Sequence, residues 1–78
     1  MSRYYFNLHN HVEHMDEEGT EMPNLQAAEA HATDCARDEM AHDVREGDAC
    51  LSDRIDVNDA AGEQVLSVRF GDVVNIRA

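Results

Sequence analysis

Residues 24–46 read NLQAAEAHATDCARDEMAHDVRE, and this stretch predicts one long α-helix. No Gly or Pro interrupts it, and alanine, the best helix former, is its most frequent residue. Asn24 can accept a hydrogen bond from a first-turn N–H as the N-cap, and Gly47 is expected to end the helix in the left-handed conformation. Apolar residues at spacings of three and four form one stripe of mostly small side chains: Leu25, Ala28, Ala32, Cys35, Ala36, Met40 and Val44.

Segments on both sides of this helix alternate between apolar and polar residues, which is typical of half-buried strands. The alternation is present in residues 3–9, 51–57 and 64–70. After a tight turn at Asn10-His11, residues 12–15 can return as a short second strand. The sequence therefore predicts an α+β fold with ββαββ order, in which one long helix packs on one face of an antiparallel sheet of three to four strands.

The expected core combines the inward side of the strands with the helix stripe. Asp16 to Thr20 is expected to be a loop or bulge, and residues 58–63 a hairpin loop. The tail from Val73 to Ile76 fits a turn of helix, an added strand or an oligomer contact. The residues expected to be mostly buried are Tyr4, Phe6, Leu8, Leu25, Ala28, Ala32, Met40, Ile55, Leu66, Val68 and Phe70.

Composition excludes several classes of function. The 78 residues suffice for a single domain, 1–78, and 17 acidic against 6 basic residues give a net charge of −11. Such a surface is unsuited to binding nucleic acids or anionic membranes, because both kinds of binding need basic residues. No apolar run approaches the roughly 20 residues of a membrane span, and the N-terminus lacks a signal-peptide pattern. Two cysteines are too few for a disulfide scaffold, so we expect reduced thiols and a cytoplasmic protein.

Three short motifs resemble those of a family of small bacterial domains of unknown function. In order, they are Arg3-Tyr4-Tyr5-Phe6-x-Leu8, Asp16-x-Glu18-Gly19-x-Glu21 and Leu25-x-Ala27-Ala28, followed by a C-terminal hairpin. The resemblance covers residues 3 to about 70 and implies a compact cytosolic bacterial domain, without an established activity or functional residues. The segment from His9 to His14 departs from the family's short Asp/Gly-rich turn, so histidine chemistry here would not be the family's shared function.

The sharpest chemical signal is a histidine cluster. His9, His11 and His14 lie within six residues, and imidazoles are ligands for zinc, copper or nickel. Asp16, Glu17 and Glu18 follow and can attract a cation. Their spacing matches no defined zinc site and no cysteine pair accompanies them, so solvated loop histidines are the expectation and a metal site is the alternative.

Other candidate sites are weaker. His31 and Cys35 are spaced i, i+4 on one helix face, but two ligands make only half a metal site. His42 lies among helical carboxylates with no catalytic partner. The segment that starts at Asp56 fails as a calcium loop, because its twelfth position is Ser67 where a bidentate Glu is required. We therefore expect no catalytic residues and no cofactor.

These observations favour a non-enzymatic protein–protein interaction or self-association module. A chain this short buries only about 60% of its unfolded surface, and one helix covers one sheet face, so we expect a homodimer. Tyr5, Val65 and the apolar tail lack obvious partners within the chain, and Arg3, Arg69 or Arg77 would offset carboxylates at the dimer edge. Like charges at i, i+4 on the helix also suit a basic protein partner. The alternative function is a metal-binding or metal-responsive domain that uses residues 9–14.

Overall fold

Five antiparallel strands and one α-helix make up the computed structural model, which describes residues 1–10 and 12–77. The helix follows the first three strands, and a short 3₁₀ turn follows the last one. The elements are β1 (Ser2–His9), β2 (Glu13–His14), β3 (Thr20–Met22), α1 (Leu25–Arg45), β4 (Arg54–Asn58), β5 (Gln64–Arg69) and the 3₁₀ turn (Phe70–Asp72).

The sheet has the order β2-β1-β4-β5, and β3 pairs with the other end of β1. β2 pairs with Leu8 and His9, whereas β3 pairs with Ser2 to Tyr4. The return strand of the first hairpin is therefore broken into two short pieces, which accounts for the strand beyond the three to four expected. The predicted α+β class, with one helix against an antiparallel sheet, is confirmed.

The helix begins and ends where the sequence predicts. The Asn24 side chain accepts the Ala27 N–H at 2.8 Å, and Gly47 has a φ of 85°. Leu25, which we expected in the core, is 42% exposed in the first turn of α1, and Val44 in the last turn is 64% exposed, so the buried part of the stripe lies in the middle of the helix.

The core lies between α1 and the helix-facing side of the sheet. Ala28, Ala32 and Ala36 are fully buried, and their small size lets the helix approach the strands closely. Phe70, at the end of β5, is the largest fully buried side chain. Phe6, Leu8 and Leu66 are only partly buried, although they pack against the core. Its buried members are Tyr4, Ala28, Ala32, Ala36, Met40, Ile55, Val57, Val68, Phe70 and Val73.

The second hairpin and the tail differ from expectation. β4 begins at Arg54 and not at Leu51, because Leu51 lies in a turn where its carbonyl accepts the Gly71 N–H at 2.9 Å. Val73 has partners within the chain: it is buried, and its carbonyl accepts Arg37 Nε at 3.0 Å. Val65 and Val74 also pack against the core, while Ile76 remains 71% exposed.

The sheet face opposite the helix is polar at its centre. Cross-strand register aligns Asn7, Asp56 and Ser67 in one row, and His9, Arg54 and Arg69 in the next. Asn7 and Asp56 are buried even though no helix covers this face. Within residues 1–10 and 12–77, no helix combines the length and the apolar character that a membrane crossing needs.

Candidate functional site

The structure does not bring His9 and His14 together. His14 pairs with Leu8 across β1 and β2, whereas His9 pairs with Glu13. Because cross-strand partners share a face and neighbouring residues alternate, His9 belongs to the open face and His14 to the helix-facing side. His11 lies outside the described residues. The three-histidine metal site therefore stays a prediction, and in the described part of the chain no group of three His, Cys, Asp or Glu can hold a metal ion.

On the open face, Asp56 is the centre of a polar network. It is only 6% exposed, and its carboxylate accepts the Ser67 hydroxyl at 2.7 Å. Arg54 Nε lies 3.2 Å from each carboxylate oxygen, and His9 Nε2 lies 3.2 Å from one of them. The other ring nitrogen of His9 faces Glu13 at 3.3 Å. The Asp56 carboxylate thus accepts hydrogen bonds from both the Arg54 guanidinium and the Ser67 hydroxyl on the open face of the sheet.

The order of groups in this network differs from that of a serine-hydrolase triad. In a serine-hydrolase triad the imidazole lies between the hydroxyl and the carboxylate, where it can accept the hydroxyl proton. Here Asp56 lies between Ser67 and His9, so the Ser67 proton already points at a carboxylate. In the described residues no buried side-chain nitrogen or oxygen lacks a hydrogen-bond partner. This network was not predicted from the sequence, where its only signal is the polar residues at alternate positions of β1, β4 and β5.

A second polar centre, Asp16, fills the gap between β2 and β3. Its carboxylate accepts the N–H groups of Phe6, Glu18 and Gly19 at 3.1, 3.2 and 3.0 Å. The Asp16 N–H in turn donates to Asn7 Oδ1 at 2.9 Å. The Phe6 N–H points away from β4 and would find a backbone carbonyl if a strand continued there. Asp16 supplies that acceptor from its side chain, so the acidic loop stays attached to β1.

These hydrogen bonds determine how Asp16 titrates. Burial alone would raise the pKa of Asp16, but the N–H groups of Gly19, Phe6 and Glu18, with the charge of Arg3, outweigh burial and lower it below the ordinary value of 3.8. A lowered folded-state pKa stabilises the fold above the unfolded pKa, and this stabilisation is lost as the pH falls through the folded-state value. The loop attachment is therefore intact at neutral pH and weakens only in acid.

His31 and Cys35 lie together, as their spacing predicts, but they form no site. Cys35 Sγ is 3.5 Å from His31 Nε2, and the His31 ring meets Phe6 edge-on with 4.7 Å between ring centroids. Burial, followed by the negative charges of Asp38, Asp34 and Asp16, raises the pKa of the Cys35 thiol. A raised pKa disfavours the thiolate, which is the form that attacks electrophiles and binds metals.

The remaining sequence candidates are surface features. His42 is exposed on α1. Asp59 uses its carboxylate on the chain itself, accepting the Ala61 and Glu63 N–H groups at 3.0 and 2.9 Å. Those bonds close the hairpin loop between β4 and β5, as expected for a loop that fails as a calcium site.

The edge formed by β5 has no strand partner on its outer side among the described strands. The Phe70 N–H bonds inward to the Asp53 carbonyl at 2.9 Å, so by alternation the N–H groups of Ser67 and Arg69 point outward. A groove of about 590 Å³ runs between this edge and α1, and its lining combines Arg37 and Arg69 with the carboxylates of Glu29, Asp34 and Asp72. β5 thus offers unused backbone donors beside an open groove.

A second open surface lies at the C-terminal end of α1. An apolar groove of about 530 Å³ separates the helix from the tail, and Val44 and Ile76 are its most exposed apolar side chains. The groove contains no carboxylate in the part of its lining that the structure describes. The lining residues are Arg37, Met40, Ala41, Val44, Val74, Asn75 and Ile76.

Comparison with known proteins gives one match. A family model described as a domain of unknown function (DUF6894) matches residues 3–71. No curated protein and no solved structure matches the chain.

Proposed function

The chain belongs to the DUF6894 family of domains of unknown function, and we propose that it is a non-enzymatic module that acts by associating with protein, first of all with a second copy of itself. The resemblance to a small domain of unknown function agrees with this membership. Two surfaces without partners in the described part of the chain support this role: the free edge of β5 and the apolar groove between α1 and the tail.

The state of the polar side chains supports a non-enzymatic role. Ser67 donates to Asp56, both ring nitrogens of His9 face carboxylates, and Asp16 binds three backbone N–H groups. A catalytic group needs a free donor, acceptor or lone pair directed at a substrate. In these two networks the groups are directed at the chain itself.

The observation that carries the proposal is the free edge of β5. Natural sheets usually protect such edges with Pro, inward-pointing charges or a covering segment, because unpaired backbone groups template pairing with another chain. β5 reads QVLSVR and carries no Pro and no carboxylate. Both cysteines are free thiols, which fits the cytoplasmic location that we propose with this function. The alternative to self-association is a basic protein partner that binds the acidic face of α1.

Light scattering on the untagged chain tests the proposal. We expect a mass near twice the 8.8 kDa of one chain at tens of micromolar, falling toward one chain mass on dilution. Because two chains of net charge −11 repel each other, added sodium chloride should shift the transition to lower protein concentration by screening that repulsion. A monomer mass at tens of micromolar, in both low and high salt, would rule out self-association.

A further inference from the structure

We infer that β5 pairs antiparallel with β5 of a second copy, so that the two sheets become one continuous sheet across a twofold axis. This inference rests on the proposed function and names the surface and the register of the association. It starts from the backbone groups that the chain leaves unused.

The backbone N–H and C=O groups of β5 point alternately toward β4 and away from it. Leu66 and Val68 lie opposite Val57 and Ile55 of β4, and the Phe70 N–H also bonds inward, to Asp53. Ser67 and Arg69 therefore direct their N–H and C=O groups outward. An antiparallel partner strand would use these groups without disturbing any bond to β4.

The register follows from the regular part of β5. A register shift between Val57 and Asn58 distorts the start of the strand, and the 3₁₀ turn at Phe70 ends it, which leaves Leu66 to Arg69 as regular edge. With Ser67 opposite Ser67 of the second copy, every residue from Leu66 to Arg69 pairs within β5, whereas Val68 opposite Val68 would put Leu66 against Phe70 in the 3₁₀ turn. Leu66, only partly buried within one chain, then lies opposite Val68 of the second copy on the helix-facing side.

Within β5 itself, no negative charge opposes this contact. Segment 64–71 carries no carboxylate in a chain that has 17 of them, and its one charged residue is Arg69. In the register centred on Ser67, Arg69 lies opposite Val65 of the second copy, so no like charges face each other across the strands. Like charges directly opposite would weaken the pairing.

The other edge of the sheet, beside β1, explains why the assembly should stop at two chains. β2 and β3 pair with the two ends of β1, and Asp16 accepts the Phe6 N–H between them. The described strands therefore leave one long free edge, at β5. An isologous contact between two such edges closes as a twofold dimer and does not propagate into a filament.

A proline at Arg69 tests the pairing without changing the fold. Arg69 has a φ of −86°, close to the value that proline imposes, and its N–H is unused within the chain. Arg69→Pro removes the outward donor and blocks the approach of a second strand. We expect Arg69→Pro to be monomeric at concentrations where the wild type is dimeric, with an unchanged circular dichroism spectrum. The matched variant Arg69→Gln removes the charge but keeps the N–H, and should remain dimeric.

Cross-linking gives an independent readout that does not depend on tolerance of proline. With Cys35 and Cys50 replaced by alanine and serine, Ser67→Cys should oxidise to a disulfide-linked dimer, since directly opposed residues of a hydrogen-bonded pair lie about 5.5 Å apart at Cα. Arg69→Cys in the same background should not cross-link to itself, because the register separates the two copies of residue 69.

The outcomes separate the inference from the proposed function. A dimeric wild type whose Arg69→Pro variant stays dimeric, and whose Ser67→Cys variant does not cross-link preferentially, overturns the β5 pairing while self-association stands. If Val44→Asp alone dissociates that dimer, the apolar groove beside the tail is the interface. A wild type that is monomeric at every concentration overturns both.

Discussion

Replacing Phe70 with alanine is expected to lower the free energy of unfolding by about 3–5 kcal/mol, the usual cost of removing a buried aromatic ring from a core. Phe70 is 0% exposed and is the largest side chain that the fold buries completely. Among the described residues, three of the four buried side chains of α1 are alanines, the fourth being Met40, so the helix offers little bulk to fill the space. Since domains are stable by about 0.05–0.15 kcal/mol per residue, this loss removes a large part of the total.

Urea denaturation followed by circular dichroism measures the change, with all proteins at one concentration so that association contributes equally. Leu25→Ala is the matched control, because Leu25 is 42% exposed in the first turn of α1 and its replacement should cost less than about 1 kcal/mol. Equal losses for the two variants would contradict the placement of the core.

Replacing Gly19 with alanine is expected to cost about 3 kcal/mol or more, through left-handed backbone strain together with overpacking. Gly19 has a φ of 70°, and a Cβ there would lie 2.9 Å from the Tyr4 carbonyl oxygen and 2.8 Å from Arg3 Cγ. The Arg3 side chain can move, but the Tyr4 carbonyl belongs to β1 and cannot. Gly19 therefore brings the loop held by Asp16 against β1 at a distance that a side chain prevents.

Gly62→Ala separates the two contributions. Gly62 has a φ of 84° but nothing within 4 Å of the added Cβ, so it carries the backbone strain alone, about 1–2 kcal/mol. Thermal unfolding of both variants should show the larger loss at position 19. Similar losses at positions 19 and 62 would mean that the contact with β1 contributes nothing.

Local signals were enough to predict the helix and the order of the elements. Asn24 and Gly47 act through bonds and backbone angles within a few residues of themselves, so their roles can be read without the fold. The alternation in β1 and β5 likewise marks which side chains face α1. The error at Leu25 arose because a periodic stripe shows which face of a helix is apolar, but not which residues of that face the rest of the chain covers.

The polar centres depend on pairings that a local pattern does not contain. Asp56 and Ser67 become neighbours only through the register of β4 with β5. Asp16 reaches the Phe6 N–H because the return strand is interrupted there, which the acidic loop residues alone do not show. The hairpin register also decides that His9 and His14 take opposite faces, since a shift of β2 by one residue could place His14 opposite His9 on the same face.

Amide hydrogen exchange in β5, followed by NMR at two protein concentrations, tests whether a second copy pairs with this edge. If a second copy pairs with this edge, the amides of Ser67 and Arg69 exchange slowly at high concentration and quickly on dilution. The Val68 amide, which faces β4, stays protected at both concentrations and serves as the internal reference. Rapid exchange at Ser67 and Arg69 in a sample whose mass is that of a dimer would show that the two copies do not pair through β5.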